Sequence, residues 1–97
     1  MKKTNIDPDL KAGFTRDEMD RILKFILYAP YGSALSLKGL VLSKDFRLED
    51  LGFTLRDGRF YTYDPAKGAG RRVSRRYVEE TITDAVLTHP EVFFERL

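Results

Sequence analysis

The sequence has no cysteine and only one histidine, and these shortages exclude several kinds of site. Without cysteine there is no disulfide framework, no thiolate nucleophile and no zinc site built on cysteine. The single histidine, His89, stands beside Pro90, which favours a capping or packing role over metal binding or acid-base chemistry. The lack of cysteine also fits an intracellular, cytoplasmic protein.

Long apolar runs are missing as well. No stretch approaches the ~20 apolar residues that cross a bilayer, and Met1-Lys2-Lys3 leads into polar sequence rather than the apolar core of a signal peptide. We therefore expect an unprocessed chain that does not enter a membrane. Its 97 residues, 42% of them apolar, suit one domain with one core. We expect an N-terminal arm over residues 1–13 and a single globular domain over residues 14–97.

No group of residues has the arrangement of a catalytic site. The neighbouring carboxylates at 17–18, 49–50 and 79–80 fall on predicted helix surfaces, where solvation explains them. The stretch from Lys67 to Gly70 contains two glycines, but the Lys-Ser/Thr that completes a phosphate-binding P-loop is missing. We predict no enzyme, no metal site and no cofactor.

Positive charge is concentrated in one short stretch of the chain. The net charge is only +2, yet residues 67–76 hold five cations and no acid, while the rest of the chain has 12 cations against 15 acids. The five cations are Lys67, Arg71, Arg72, Arg75 and Arg76. Ser74 has the properties of a helix N-cap, so the arginines crowd the positive end of a helix dipole. Such an end binds phosphate readily.

Two interpretations of this cluster remain open. Arg75 and Arg76 each have a glutamate one turn further along the helix, which gives a solvated or internally paired patch. Arg71 and Arg72 have no such partner in the sequence, and this favours contact with an external anion. That anion belongs either to nucleic acid or to an acidic protein surface.

Capping signals predict the two main helices. Thr15 and Glu18 form a capping box, flanked by the apolar staple of Phe14 and Met19, so we predict a helix over residues 15–29 that ends at Pro30. A second helix is expected to begin after Ser74 and to break at residue 90. Beyond that break, residues 91–97 are expected to form a short terminal helix that covers the core.

Residues 53–63 have the pattern of a β-hairpin. Asp57-Gly58 between alternating strands is typical of a type I′ turn, and it pairs Arg56 with Arg59. One face of the hairpin then carries two arginines and two tyrosines: Arg56, Arg59, Tyr61 and Tyr63. These side chains suit stacking and ion pairing with nucleic acid. Alternatively, the tyrosines lie under the N-terminal arm or the C-terminal turn.

The fold class is α+β, with two possible orders of elements. If residues 34–42 form a strand, the order is α-β-β-β-α; if they form a helix, it is α-α-α-β-β-α, which is the order of a winged helix. Alternating and helical spacing of the leucines fit this segment almost equally. We also expect a short helix over residues 44–51 that ends at Gly52, and a flexible loop over residues 66–70.

The first order, followed by a glycine loop and a basic helix start, resembles a double-stranded-RNA-binding domain over residues 53–87. In that family, a glycine-containing loop and a cationic helix N-terminus contact phosphates. The resemblance implies that role for Gly68, Gly70, Arg71, Arg72, Arg75 and Arg76.

Both orders place the basic stretch and the hairpin on one contact surface. The sequence therefore predicts a nucleic-acid-binding module that contacts phosphates through a Gly-Arg loop and a helix N-terminus. The competing hypothesis is a small regulator or inhibitor, of the kind that phages and other mobile elements encode, which docks on a larger protein machine. The sequence leaves open whether the partner is DNA, RNA or protein, and the oligomeric state.

Overall fold

The computed structural model describes residues 14–96 and has the α+β class expected from the sequence. The predicted arm over residues 1–13 lies outside the described residues. The helices are α1 (Arg16–Tyr28), α2 (Arg75–Thr88) and the short α3 (Pro90–Phe93), with a 3-10 helix at Leu48–Leu51. The strands are β1 (Ala34–Leu37), β2 (Leu40–Ser43), β3 (Phe53–Arg56), β4 (Arg59–Asp64), β5 (Gly68–Val73) and β6 (Phe94–Arg96).

Helix α1 begins at the predicted capping box. The Thr15 hydroxyl accepts a hydrogen bond from the Glu18 N–H at 3.1 Å, and the Glu18 carboxylate accepts one from the Thr15 N–H at 2.8 Å. Two of the four free N–H groups at the helix start are thereby satisfied. The helix ends at Tyr28, and Ala29 is the C-cap that leads to Pro30.

The ambiguous segment over residues 34–42 belongs to a β-hairpin, so the winged-helix order is wrong. Strands β1 and β2 are antiparallel, with Ala34 opposite Ser43 at the open end and Leu37 opposite Leu40 beside the turn. The turn residues Lys38 and Gly39 have φ of 56° and 77°. Positive φ at both central positions defines a type I′ turn, which suits the twist of a two-residue hairpin. Strand β6 joins the other edge of β2 and completes a sheet of order β1-β2-β6.

The C-terminal segment differs from the single helix expected over residues 91–97. Helix α3 stops at Phe93, and the next three residues pair antiparallel with β2, which places Phe94 opposite Leu42. Both of these side chains are buried. The pairing satisfies backbone groups on an edge of β2 and brings an aromatic ring into the core, which explains why a strand replaces the last helical turns.

The second sheet has the order β3-β4-β5, and its first two strands form the predicted Asp57-Gly58 hairpin with Arg56 opposite Arg59. The third strand corrects the flexible loop expected over residues 66–70, because Gly68–Val73 pairs with β4. A tight turn joins β4 to β5, in which Asp64 accepts hydrogen bonds from the N–H groups of Ala66 and Lys67. Gly68 follows with a φ of 83°, a conformation that disfavours other residues.

The core lies between the two sheets and the two long helices. Ile22 and Ile26 of α1, Leu42 of the first sheet, and Val78 and Val86 of α2 are almost completely buried. The inner face of the second sheet contributes buried rings: Phe53 and Phe60. The outer face of the second sheet is therefore the one available for other contacts, except at the end that the 3-10 helix approaches.

The helix expected over residues 44–51 is shorter and tighter than predicted. Only Leu48–Leu51 is helical, with 3-10 geometry, and Gly52 ends it at a φ of 90°. Glu49 of this helix accepts a hydrogen bond from the Thr54 hydroxyl. Thr54 is consequently buried, although it lies on the outer face of the second sheet.

Candidate nucleic-acid interface

Strand alternation and register bring five predicted residues to the outer face of the second sheet. Phe60 of the central strand β4 points into the core, so Arg59, Tyr61 and Tyr63 occupy the opposite face. The register places Arg56 of β3 beside Arg59, and Arg72 of β5 beside Tyr61. We call this set the arginine-tyrosine face: Arg56, Arg59, Tyr61, Tyr63 and Arg72.

The two tyrosines lie in the middle of this face. Tyr61 has Thr54 opposite it on β3 and Arg72 opposite it on β5. Tyr63 has Ala69 opposite it on β5, and on the other side its N–H donates to the Gly52 carbonyl at 2.9 Å. Both tyrosines are half-buried. The small neighbours of Tyr63 leave its ring without a bulky cross-strand partner, and the ring lines a cleft in front of the 3-10 helix.

The arginines of this face carry charge that is not neutralised locally. Arg56, Arg59 and Arg72 are exposed, and within residues 14–96 none of them forms an ion pair with a carboxylate. Arg56 and Arg59 are also directly opposite each other, and like charges in that position destabilise a strand pair. An external anion would relieve this repulsion.

A β-bulge separates Arg71 from Arg72. Gly70 and Arg71 together stand opposite Thr62, because Tyr61 pairs with Arg72 while Tyr63 pairs with Ala69. The Arg71 N–H donates to the Thr62 hydroxyl at 3.1 Å. Since alternation puts Thr62 on the same side of the sheet as Phe60, Arg71 lies on the inner side and Arg72 on the outer side. The two neighbouring arginines are thus not parts of one patch.

Arg75 and Arg76 are internally paired, as one interpretation of the sequence allowed. Each Nε lies 3.0 Å from a carboxylate one turn along α2, that of Glu79 for Arg75 and that of Glu80 for Arg76. The Arg75 guanidinium also lies over the Tyr28 ring, 5.5 Å from its centroid. Arg76 borders a cleft between α1 and α2, away from the second sheet.

The remaining predicted residue, Lys67, is exposed in the turn between β4 and β5. The structure therefore divides the basic stretch into three parts. Arg72 belongs to the arginine-tyrosine face, Arg75 and Arg76 belong to ion pairs on α2, and Lys67 and Arg71 lie beside the face without being part of it. The Gly-Arg loop that the sequence predicted as a phosphate site is a strand.

A depression of about 430 Å³ adjoins the arginine-tyrosine face where β5 passes into α2. Arg59, Arg72 and Arg75 line it together with Ser74, the N-cap of α2. The Ser74 hydroxyl accepts a hydrogen bond from the Tyr77 N–H at 3.0 Å, as predicted for an N-cap. Arg75 is already paired with Glu79, but Arg59 and Arg72 have no carboxylate partner within residues 14–96. These two guanidinium groups make the corner favourable for negative charge.

The opposite end of the face is bounded by acidic residues. A cleft of about 490 Å³ lies between Tyr63 and the 3-10 helix, and Glu49 and Asp50 line it along with Arg47 and Arg56. Asp50 accepts a hydrogen bond from the Arg47 N–H at 2.9 Å. The end of the face near Tyr63 therefore has mixed charge, whereas Arg59 and Arg72 lie together at the depression beside α2.

No known protein family, curated protein or solved structure matches this chain. Among residues 14–96, no group of three or more histidine, aspartate or glutamate side chains has the geometry to hold a metal ion. In the same part of the chain, no helix is long and apolar enough to cross a membrane.

Sequence reasoning found the members of this face but missed their grouping. It assigned Arg72 to a loop with Arg71, because AKGAG has the composition of a flexible segment. The available signal was Val73, which alternates with Arg72 and fits a strand that packs Val73 inward opposite Phe60. The alternating pattern is short, because residues 68–70 are glycine and alanine and have too little side chain to extend it.

Proposed function

We propose that this protein binds nucleic acid through the arginine-tyrosine face. In this proposal the arginines contact phosphates and the tyrosines contact bases. The observation that carries it is the cross-strand pair of Tyr61 and Arg72, which puts an exposed, unpaired guanidinium beside a half-buried aromatic ring on the outer face of the sheet. Guanidinium groups and aromatic rings in alternation are the two elements that non-specific nucleic-acid sites combine.

The distribution of charge supports the same proposal. Arg56, Arg59 and Arg72 form no ion pair within residues 14–96, so the outer face of the second sheet has cations available to an anionic polymer. Arg59 and Arg72 both line the depression at the start of α2, where a phosphate could contact either of them. The sequence predicted phosphate contacts in a Gly-Arg loop, whereas this proposal assigns them to the outer sheet face and to the depression beside the start of α2.

The test compares two neighbouring arginines that differ in the face they occupy. Arg72→Gln and Arg71→Gln remove the same charge one residue apart, and both positions are exposed, so both variants should fold. Binding is measured by fluorescence anisotropy with labelled single- and double-stranded DNA and RNA from ~50 mM salt upwards. Arg72→Gln should flatten the plot of log affinity against log salt by about 0.7–0.9, the value for one phosphate contact.

Arg71→Gln is the matched control and should change the slope much less. Equal effects of the two variants would mean that the outer face is not the binding surface. No binding by the parent protein at ~50 mM salt would refute the proposal. An acidic protein partner would then be the class to search for, recognised by an association rate that falls with salt.

A further inference from the structure

We infer that the nucleic acid bound by the arginine-tyrosine face is single-stranded, with neighbouring bases lying on Tyr61 and Tyr63. This inference rests on the proposed function and makes it more specific. It differs from the family resemblance of residues 53–87, which implies double-stranded RNA.

Tyr61 and Tyr63 lie on the central strand of the sheet and are half-buried, so part of each side chain reaches solvent. In a duplex the faces of the bases are covered by the bases above and below, and only their edges and the backbone reach the grooves. Single strands expose base faces, and aromatic side chains stack on them. The two tyrosines therefore have a stacking partner in a single strand and none in a regular duplex.

The spacing of the two tyrosines also favours an unstacked strand. Tyr61 and Tyr63 are two residues apart on one strand, a separation of about 6.8 Å at the antiparallel rise per residue. Stacked bases in a duplex are about 3.4 Å apart along one strand. Successive bases can each lie on one of the tyrosines only if they are drawn apart to about twice that distance. An extended, unstacked strand meets this condition.

A duplex would have to dock on a helix whose arginines are already paired or on a narrow sheet face. The resemblance implies that the start of α2 contacts duplex phosphates, but Arg75 and Arg76 are already paired with Glu79 and Glu80. Asp84 adds a further exposed carboxylate on the same helix. This helix consequently presents mixed charge, whereas the unpaired arginines lie on a sheet face that is only three strands wide, about 14 Å at the usual strand spacing.

The position of the charges also orients the strand. Arg59 and Arg72 line the depression at the start of α2, whereas Arg56 lines the cleft beside Tyr63 together with the carboxylates of Glu49 and Asp50. The phosphates should therefore lie towards Arg59 and Arg72, and the base over Tyr63 should be the one farthest from that pair. A sheet of this size has room for only a few nucleotides.

The experiment uses three fluorescein-labelled probes of 15 nucleotides or base pairs: oligothymidylate, oligouridylate and a blunt DNA duplex, all at ~50 mM salt. The variants are Tyr61→Leu and Tyr63→Leu, each paired with the conservative change to Phe. Leu removes the aromatic face, and Phe keeps it. The control is Tyr77→Leu, because Tyr77 is an exposed tyrosine on α2 that contacts the inner-face residue Phe53 and does not belong to the arginine-tyrosine face.

We expect each Leu variant to bind the single strands about fivefold to more than a hundredfold more weakly. Loss of one base-aromatic stack costs about 1–3 kcal/mol, and about 1.4 kcal/mol corresponds to a tenfold change in affinity. The Phe variants should stay within about twofold of the parent, and so should Tyr77→Leu, once circular dichroism shows each variant to be folded. Since the protein has five tyrosines and no tryptophan, stacking should also quench tyrosine emission, and this quenching should shrink in Tyr61→Leu.

The outcomes separate this inference from the function on which it rests. Single-strand binding that is lost with Leu and kept with Phe supports both. Duplex binding that is equal or tighter, with the Leu variants unchanged, overturns the single-strand inference and leaves nucleic-acid binding standing. If none of the three probes binds to the parent and double-stranded RNA does not bind either, both proposals fail.

Discussion

Replacing Lys44 by Met tests the least expected contact in the core. Lys44 is only 5% exposed, and its ammonium group donates hydrogen bonds to the carbonyls of Phe25 and Ile26 in the last turn of α1. If the helix continued, the Ile26 carbonyl would accept the N–H of residue 30, but Pro30 has none. Lys44 supplies the donor that the proline lacks, from a position just after β2 and 18 residues from Ile26 in sequence.

The magnitude follows from what Lys44→Met leaves behind. Met fills most of the space of the lysine stem, so the main loss is the partner of a buried carbonyl, which costs about 1–3 kcal/mol. Burying a cation costs desolvation free energy, so replacing the lysine by methionine offsets part of this loss. We expect a net loss of about 2 kcal/mol in the free energy of unfolding. For a domain of this size, that lowers Tm by about 8–16 °C.

Thermal unfolding followed by circular dichroism measures this effect, with Lys24→Met as the matched control. Lys24 forms an exposed i,i+4 pair with Asp20 at 3.0 Å, and such a pair contributes about 0.3–0.5 kcal/mol. The control should therefore melt within a few degrees of the parent. If Lys44→Met melts as close to the parent as Lys24→Met does, the carbonyl does not depend on Lys44 and the reasoning is refuted.

The pH dependence of the same comparison gives a second check. Burial lowers the pKa of Lys44 below its ordinary 10.5. Between the lowered pKa and 10.5 the unfolded chain binds more protons at this site than the folded one, so folding becomes more favourable as the pH rises. The stability of the parent relative to Lys44→Met should therefore increase through this window. A decrease would show that the charged form is the one that the fold prefers.

Three further changes test local structure, each by chemical or thermal unfolding. Thr15→Ala should cost about 1 kcal/mol, because Glu18 loses the acceptor of its N–H, and a melt identical to that of the parent would argue against the capping box. Gly58→Val should destabilise by at least ~1 kcal/mol, since φ is 78° there; an unchanged denaturation midpoint would contradict the turn type. Gly70→Ala should disrupt the bulge, because the new methyl group would collide with the Thr62 hydroxyl, and full retention of stability would show that β5 shifts easily.

Local signals in the sequence were sufficient for several elements. The start of α1, the Ser74 cap of α2 and the register of the Asp57-Gly58 hairpin are all confirmed. Each depends on side chains within about four residues of one another, so the interaction that forms the element is visible in the chain. The hairpin register also fixed which face carries Arg56, Arg59, Tyr61 and Tyr63, and hence most of the candidate site.

Elements that depend on distant partners were not predictable in this way. The turn of the first hairpin has Lys38 at positive φ, a position where Asn or Asp is the usual sequence signal. The sequence of residues 34–42 therefore did not distinguish a strand from a helix. Pairing with β6 and packing in the core decide for the strand. The segment from Gly68 to Gly70 has little side chain to indicate a strand, and β4 supplies the backbone partners that make it one. The same applies to Phe94–Arg96 beside β2.

The sequence by itself thus determined the helix starts, the hairpin turn and the presence of a concentrated basic stretch. The tertiary structure decided how that stretch is divided. A bulge opposite Thr62 turns Arg71 to one side of the sheet and leaves Arg72 beside Tyr61 on the other, while two glutamates on α2 pair with Arg75 and Arg76. The physical reason is that the surface on which a charge lies depends on strand register, and register is set by hydrogen bonds to a neighbouring strand rather than by adjacent residues.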